Sequence, residues 1–244
     1  MQLMKMESVK IKSGKYNLSG TIIKPDYNKK VPAVVFYHGM ISQSKPRHLE
    51  RALKLSEKGI GSLVFDLRGV GGSDGKLGTL SLKDFLDDSL LAFDFLYNQD
   101  FVDKDRVGIC AHSFGGGNAP LIASERKVKS MVLQAPAVYE DNWFEKPFDW
   151  SDKTTESRRK YRFSDRALDN KYIRAIEKYK GDLLVVGCEL DDTCPPKIIQ
   201  GYFDHAGSKN KKLEWLKGAD HSLRNPGVNE TYTKIMIDWF TETL

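Results

Sequence analysis

Residues 106–117, RVGICAHSFGGG, join a β-branched strand pattern to a glycine-rich turn, and a helical pattern follows the turn. A strand, a sharp turn and a helix in this order can present a serine hydroxyl at the end of a sheet. Strand and helix approach closely at such a turn, so the residues two before and two after the serine must be small. Ala111 and Gly115 meet that requirement, and the stretch predicts Ser113 as a nucleophile. A glycine-rich turn with a helix-capping serine is the alternative interpretation.

Outward from this turn, the chain alternates between short apolar segments and helical patterns. Residues 8–13 and 16–25 show the alternation of half-buried strands and predict an antiparallel pair. Residues 32–37, PAVVFY, form a continuous apolar run of the kind that is buried on both faces, and a helical pattern follows at 48–59. The same succession continues to a last helical pattern at 231–244. It predicts an α/β fold with a mostly parallel central sheet, antiparallel N-terminal strands and helices on both faces.

One segment, residues 139–165, breaks this succession. It is rich in aromatic residues, charged residues and turn formers, and it has no regular period. We interpret it as a small cap-like insertion over the sheet, within a single domain that spans residues 1–244.

Two further loops contain the partners that a serine nucleophile needs, a general base and an acid that orients the base. The loop GCELDDTCPP at 187–196 places Asp191 and Asp192 at the carboxyl end of a strand, where catalytic groups of open α/β sheets gather. The loop GADHS at 218–222 contains His221. Nucleophile, acid and base thus follow in the order Ser, Asp, His. The residues alone leave Asp191 and Asp192 as alternatives for the acid.

With these motifs, and with YHGM at 37–40 after an early strand, the whole chain resembles an α/β-hydrolase and, within that superfamily, a serine esterase. It is similar to the cinnamoyl and feruloyl esterases and to the catalytic domain of acyl-peptide hydrolases. The resemblance implies an α/β-hydrolase fold and an oxyanion hole formed by the backbone N–H groups of Met40 and Phe114. It also favours Asp191 as the acid, because the family's acid commonly stands four residues before a proline, here Pro195.

The resemblance further implies a carboxylesterase that cleaves small to medium acyl esters, cinnamoyl-type esters among them, through an acyl-enzyme. Aromatic side chains of the insertion are the predicted substrate-binding residues, although such rings can instead anchor an insertion to the sheet. These residues are Trp143, Phe144, Phe148 and Trp150.

Other functions remain as alternatives. A serine peptidase or acyl-peptide hydrolase and a thioesterase use the same three residues, and a hydrolase fold can also serve as a non-catalytic binding protein. The basic run 158–160 with Arg162 can attract a substrate that bears a carboxylate, or it can form a solvated face.

No metal or cofactor site is predicted, because the chain has neither an HExxH motif nor paired Cys or His at metal-ligand spacing. We expect His38 to make a structural hydrogen bond and His112 to line the site without a catalytic role. His48 and His205 stand in polar helical patterns and are expected on the surface.

Composition and charge bear on partners and location. The 38 Lys and Arg against 33 Asp and Glu give a net charge of +5, too mild and too evenly spread to indicate a nucleic-acid partner. Three well-separated cysteines cannot all pair, which favours a reducing cytoplasm. No secretory signal pattern or membrane span is predicted, and the oligomeric state is not indicated. The expected partner is a small-molecule ester.

Overall fold

The computed structural model of the protein describes residues 4–40, 45–148 and 152–244. Eight strands form one sheet, and they are β1 (Met4–Ser13), β2 (Tyr16–Pro25), β3 (Val31–Tyr37), β4 (Gly61–Phe65), β5 (Val102–His112), β6 (Ser130–Gln134), β7 (Asp182–Cys188) and β8 (Lys211–Leu216). Their order in the sheet is β1-β2-β4-β3-β5-β6-β7-β8. β2 pairs antiparallel with β1 and β4, and every pairing from β4 to β8 is parallel. The predicted sheet type is therefore confirmed.

Helices cover both faces of this sheet. Those in the described residues are α1 (Lys45–Ser56), α2 (Leu82–Tyr97), α3 (Phe114–Glu125), α4 (Asp152–Phe163), α5 (Lys171–Lys178), α6 (Pro196–His205) and α7 (Pro226–Thr243). Buried residues of α2, α3, α5 and α6 share one apolar core with the sheet, and those of α1 and α7 share the other. Successive residues of β3 alternate between the two cores, as Val34 and Val35 do. This explains the continuous apolar run at 32–37.

The register of the central strands brings their carboxyl ends to one edge. Tyr37 at the end of β3 lies beside Ala111 of β5, and His112 at the end of β5 lies beside Gln134 at the end of β6. Gln134 in turn lies beside Val186 of β7. The loops that leave these strands therefore begin close together, as ligand-binding loops do in open α/β sheets.

A buried ion pair holds the loop that follows β4. Arg68 Nη2 lies 2.5 Å from Asp88 Oδ1, and the Ser13 hydroxyl donates to the same oxygen at 2.5 Å. The Asp88 side chain is fully buried. Nearby, Lys45 Nζ lies 2.9 Å from Asp66 Oδ2. The pair between Arg68 and Asp88 thereby joins this loop to α2 and β1.

His48 differs from its expected surface position, and that expectation was wrong. Its imidazole is 2% exposed and lies 5.4 Å from the Phe36 ring, because α1 turns this face toward the sheet. Neither ring nitrogen has a hydrogen-bond partner among the described residues. Burial, with a smaller contribution from Arg51, lowers the pKa of His48 well below its usual value.

The segment 139–165 contains regular structure, namely a 3₁₀ turn at Asp141–Trp143 and α4. Trp150 lies outside the described residues. Within the parts of the chain that the structure describes, no helix combines the length and the apolar character needed to cross a membrane.

Replacing Asp88 tests the buried ion pair. Asp88→Ala removes the buried carboxylate of Arg68 and leaves the guanidinium with the 40% exposed Asp84 carboxylate, whose Oδ1 lies 3.8 Å away, so we expect the free energy of unfolding to fall by about 3 kcal/mol. The neighbouring Asp87→Ala is the control, because Asp87 is 49% exposed and pairs with Lys83 on the surface. Its loss should cost less than about 0.5 kcal/mol. Urea unfolding of both variants measures the difference, and equal losses would contradict this account.

The burial of His48 predicts a pH dependence of stability. Because its pKa is lower in the folded than in the unfolded chain, the unfolded chain binds more protons below about pH 6.5, and stability falls as the pH falls. His48→Leu removes this contribution. Between about pH 7 and about pH 5, the variant should therefore lose less free energy of unfolding than the wild type, by up to about 2 kcal/mol. Urea unfolding across that range measures it, and parallel pH profiles would show that His48 is not charged on unfolding.

Candidate active site

Ser113 lies in the sharp turn between β5 and α3, in a strained backbone conformation with φ 53° and ψ −111°. Its N–H donates to the Gln134 carbonyl at 3.0 Å, and its own carbonyl accepts from the N–H of Ala137 at 2.9 Å. A Cβ atom on Gly115 would stand 2.5 Å from the Tyr37 carbonyl oxygen. The steric requirement inferred from the sequence thus has a physical basis, since any side chain at 115 would push α3 away from β3.

The structure brings Ser113, His221 and Asp191 together in one hydrogen-bonded chain. His221 Nε2 lies 2.8 Å from Ser113 Oγ, and His221 Nδ1 lies 2.7 Å from Asp191 Oδ2. An ionised carboxylate only accepts hydrogen bonds, so Nδ1 carries the imidazole proton and Nε2 is free to accept from the serine hydroxyl. This is the arrangement in which a neutral histidine can act as a general base.

The geometry separates the two adjacent carboxylates of the loop at 187–196. Besides His221, Asp191 accepts from the N–H groups of Thr193 and Cys194 through Oδ1, both at 2.8 Å, and its side chain is 1% exposed. Asp192 is exposed and accepts from the Thr193 hydroxyl at 3.1 Å. The backbone donors fix the orientation of the Asp191 carboxylate, and Asp192 has no such support in the described residues.

Two side chains hold the main chain of His221. Gln134 Nε2 and His112 Nε2 each lie 3.0 Å from the His221 carbonyl oxygen. A carbonyl only accepts, so His112 donates through Nε2. Burial, followed by the nearby His221 imidazole, lowers the pKa of His112 well below its usual value and keeps its ring neutral. Sequence reasoning missed Gln134, for which the available signal was a polar residue directly after the apolar run at 131–133.

The two predicted oxyanion donors belong to Phe114, the residue after Ser113, and to Met40, in the loop that follows β3. Phe114 is the first residue of α3, and the first N–H groups of a helix have no partner within the helix. Met40 follows Gly39, whose carbonyl accepts from His38 Nδ1 at 2.6 Å. His38 Nε2 then accepts from the N–H of Leu67 at 3.0 Å, and burial lowers the pKa of this imidazole. His38 thus ties the Met40 loop to the loop that follows β4.

The candidate site opens into a cleft of about 530 Å³, which is lined by Met40, Ser113 and His221. Two aromatic residues, Tyr139 and Phe148, line the same cleft. Phe148 was predicted from the sequence, and Tyr139, at the start of the insertion, was not. A pocket of this size with both apolar and polar walls can hold a small organic molecule.

The structure does not bring the other two predicted rings that it describes to this cleft. Phe144 is 7% exposed, belongs to the apolar core, and has Lys171 Nζ 3.2 Å from its ring centroid. Trp143 packs against the Tyr161 ring at 5.8 Å. These contacts match the alternative in which the rings anchor the insertion. The basic run of the insertion does reach the cleft, through Arg158 and Arg159, and Arg162 lies beside them.

Comparisons with known proteins agree with this architecture. The Hydrolase_4 family, described as serine aminopeptidase S33, matches residues 28–166, which is more than half of the chain and includes Ser113. Est1E from Butyrivibrio proteoclasticus, solved with ferulic acid bound, superposes with a TM-score of 0.77 at 22% identity, over 96% of this chain and 98% of that one.

Curated relatives match a shorter part. An uncharacterized 31.7 kDa protein from the traX-finO intergenic region of Escherichia coli is 29% identical over 54% of this chain. The quorum-quenching protein AidA of Acinetobacter baumannii is 28% identical over 52% of it. The matched parts span 45% and 43% of those two proteins. The family match and the superposition lead to one conclusion: the chain belongs to the serine aminopeptidase S33 family and has the α/β-hydrolase fold.

Proposed function

We propose that this protein is a serine carboxylesterase that hydrolyses small to medium acyl esters. The observation that carries the proposal is the hydrogen-bonded chain from Asp191 through His221 to Ser113 at the cleft. A serine hydroxyl is a weak nucleophile until an adjacent base accepts its proton, and the base acts only in the correct tautomer. The hydrogen bonds from His221 to Ser113 and to Asp191 support both conditions.

In the proposed reaction, Ser113 Oγ attacks the ester carbonyl while its proton passes to His221 Nε2. The tetrahedral intermediate collapses when His221 returns that proton to the leaving alcohol. Water then attacks the acyl-enzyme and gives a proton to His221, and His221 passes this proton to Ser113 Oγ as the bond to the acyl group breaks and the acid is released. Asp191 holds the imidazole and stabilises its positive charge during both steps. The chemistry balances without a cofactor.

The N–H groups of Phe114 and Met40 are the proposed donors to the oxyanion of each tetrahedral intermediate. Preorganised donors of this kind typically contribute about 3–4 kcal/mol each to the stability of the transition state. Phe114 is supported by its place at the start of α3, where the helix also presents its positive end to the developing charge.

Aromatic acyl groups form one proposed substrate class, because Tyr139 and Phe148 both face the cleft and their rings pack edge to face at 5.7 Å. An acyl chain or ring can lie against such a surface. The ferulic acid bound by the similarly folded Est1E is consistent with this class.

An aminopeptidase is the second candidate, favoured by the description of the matching family. Such an enzyme must bind the α-ammonium group of a peptide, for which a carboxylate is the usual partner. Arginines Arg158 and Arg159 line the described wall of this cleft, and Asp192 is the acidic side chain there. The basic wall disfavours a cationic substrate, and we therefore prefer the esterase.

We also propose that the protein acts on a small molecule in a reducing compartment such as the cytoplasm. Three free and buried cysteines, Cys110, Cys188 and Cys194, support this location.

The first test is hydrolysis of p-nitrophenyl esters with acetyl, butyryl, long-chain and cinnamoyl groups. Ser113→Ala should lower kcat by at least about 10⁴-fold on every ester that the wild type hydrolyses. Ser124→Ala, at the exposed far end of α3, is the matched control and should retain wild-type turnover. Turnover that persists in Ser113→Ala, or wild-type turnover of aminoacyl p-nitroanilides alone, would overturn the esterase proposal.

The second test distinguishes the adjacent carboxylates. Asp191→Asn presents an amide to His221 Nδ1 and favours the wrong tautomer, so kcat should fall by about 10⁴-fold. Asp192→Asn changes an exposed residue of the same loop, and its effect should be far smaller. Steady-state kinetics with the best ester of the panel measure both variants. The reverse ranking would identify Asp192 as the acid.

A further inference from the structure

The loop at 187–196 contains a peptide group that is bound at both ends. The N–H of Cys194 donates to Asp191 Oδ1 at 2.8 Å. The carbonyl of Thr193, which belongs to the same peptide group, accepts from Arg162 Nη1 at 3.2 Å. In a planar trans peptide, the N–H and the C=O point in opposite directions. The Arg162 guanidinium and the Asp191 carboxylate therefore hold this peptide from opposite sides.

Arg162 also binds the segment that supports the nucleophile. Its Nε donates to the carbonyl of Val138 at 3.2 Å. The N–H of the preceding residue, Ala137, donates to the Ser113 carbonyl at 2.9 Å. One guanidinium from the insertion thus connects the segment that binds Ser113 to the loop that contains Asp191. These two parts of the site come from different strands of the sheet, β6 and β7.

The guanidinium of Arg162 is fixed in place by burial and packing. It stands near the end of α4, is 6% exposed, and lies 5.0 Å from the centroid of the Tyr139 ring. Burial lowers the pKa of Arg162, but nearby groups that include the Asp191 carboxylate raise it by more. A buried charge is costly unless an opposite charge compensates it. The Asp191 carboxylate, at the other end of the peptide, supplies that compensation.

The bound peptide also transmits charge. A cation that binds a peptide carbonyl polarises the peptide and strengthens its N–H as a donor, because hydrogen bonds in a chain reinforce one another. Here the strengthened donor is the Cys194 N–H, which binds Asp191. The second oxygen of the same carboxylate binds His221 Nδ1 at 2.7 Å. The chain of contacts therefore runs from Arg162 through one peptide and one carboxylate to the imidazole.

We propose that Arg162 is a positioning residue of the active site, which fixes the Asp191 carboxylate and, through it, the orientation and tautomer of His221. The proposal rests on the esterase function proposed above and adds a residue to its machinery. It also gives the insertion at 139–165 a second role besides lining the cleft. Its helix α4 supplies part of the support on which the general base depends.

Steady-state kinetics with the best ester of the panel test this role. Arg162→Gln removes the charge and one of the two guanidinium contacts, so kcat should fall by about 10- to 100-fold. KM should change by less than about threefold, because the loss acts on the chemical step. Arg166→Gln is the matched control, since this arginine is 76% exposed and pairs with Glu140 on the surface. Its kcat should equal that of the wild type.

A double-mutant cycle separates positioning from general packing. If Arg162 acts through Asp191, Arg162→Gln should lower the kcat of the Asp191→Asn enzyme by less than about twofold. A packing role would lower kcat by the same factor in both backgrounds. Arg162→Lys is the second variant, for the case in which glutamine at this buried position prevents folding. Lysine keeps the charge but offers one nitrogen in place of two, so kcat should fall by about tenfold.

Proton NMR of the free enzyme gives a readout that does not depend on turnover. The Nδ1 proton of His221, held in a short charge-assisted hydrogen bond to Asp191, should give a far-downfield resonance that is absent in Asp191→Asn. We expect this resonance to be lost or shifted upfield in Arg162→Gln and to be unchanged in Arg166→Gln.

Several results would overturn the inference. They are an unchanged kcat or an unchanged downfield resonance in Arg162→Gln, an equal fall in Arg166→Gln, and equal factors with and without Asp191→Asn. Each can occur while ester turnover depends on Ser113, which leaves the esterase proposal standing. Absence of Ser113-dependent turnover of any ester would instead contradict the proposed function, and the downfield resonance would still decide whether Arg162 positions Asp191.

Discussion

The strained turn at Ser113 is the constraint on which the rest of the site depends. A non-glycine residue at positive φ costs about 1–3 kcal/mol and persists only where its surroundings hold it. Here the surroundings are the central strands, because the Ser113 N–H binds the carbonyl of Gln134 at the end of β6. The side chain of the same glutamine donates to the His221 carbonyl. One residue of the sheet therefore anchors both the nucleophile and the loop that contains its base.

Much of the fold and of the candidate site could be predicted, because the decisive signals are local. The strand, turn and helix around Ser113 are contiguous in sequence, and the order Ser, Asp, His follows from the order of strands in such a sheet. Asp191 and Asp192 could not be separated by residue type, since both are carboxylates in one tight turn. Their difference arises from the backbone N–H groups that Asp191 receives, which become visible only in three dimensions.

The side-chain positions that could not be predicted are those that depend on which part of the fold the side chain contacts. The role of Gln134 requires the pairing of β6 with β5 and the return of the loop at 218–222, which lies more than eighty residues later. Phe144 and Phe148 both pack in the same apolar core, and Phe148 alone of the two also lines the cleft, although both stand in one short aromatic segment. His48 is similar, because a polar helical pattern does not reveal that α1 also buries a histidine.

The two hydrogen bonds to the His221 carbonyl have a consequence for the dynamics of turnover. Because His112 and Gln134 hold the carbonyl of His221, the imidazole of His221 can reorient only about its side-chain torsions. The hydrogen bond to Asp191 restricts those torsions as well. The conformational entropy of this loop is thus lost once, when the chain folds. In the proposed reaction, the protein would therefore reorganise little at each proton transfer. The slow steps of turnover would then be the binding of substrate and the release of product.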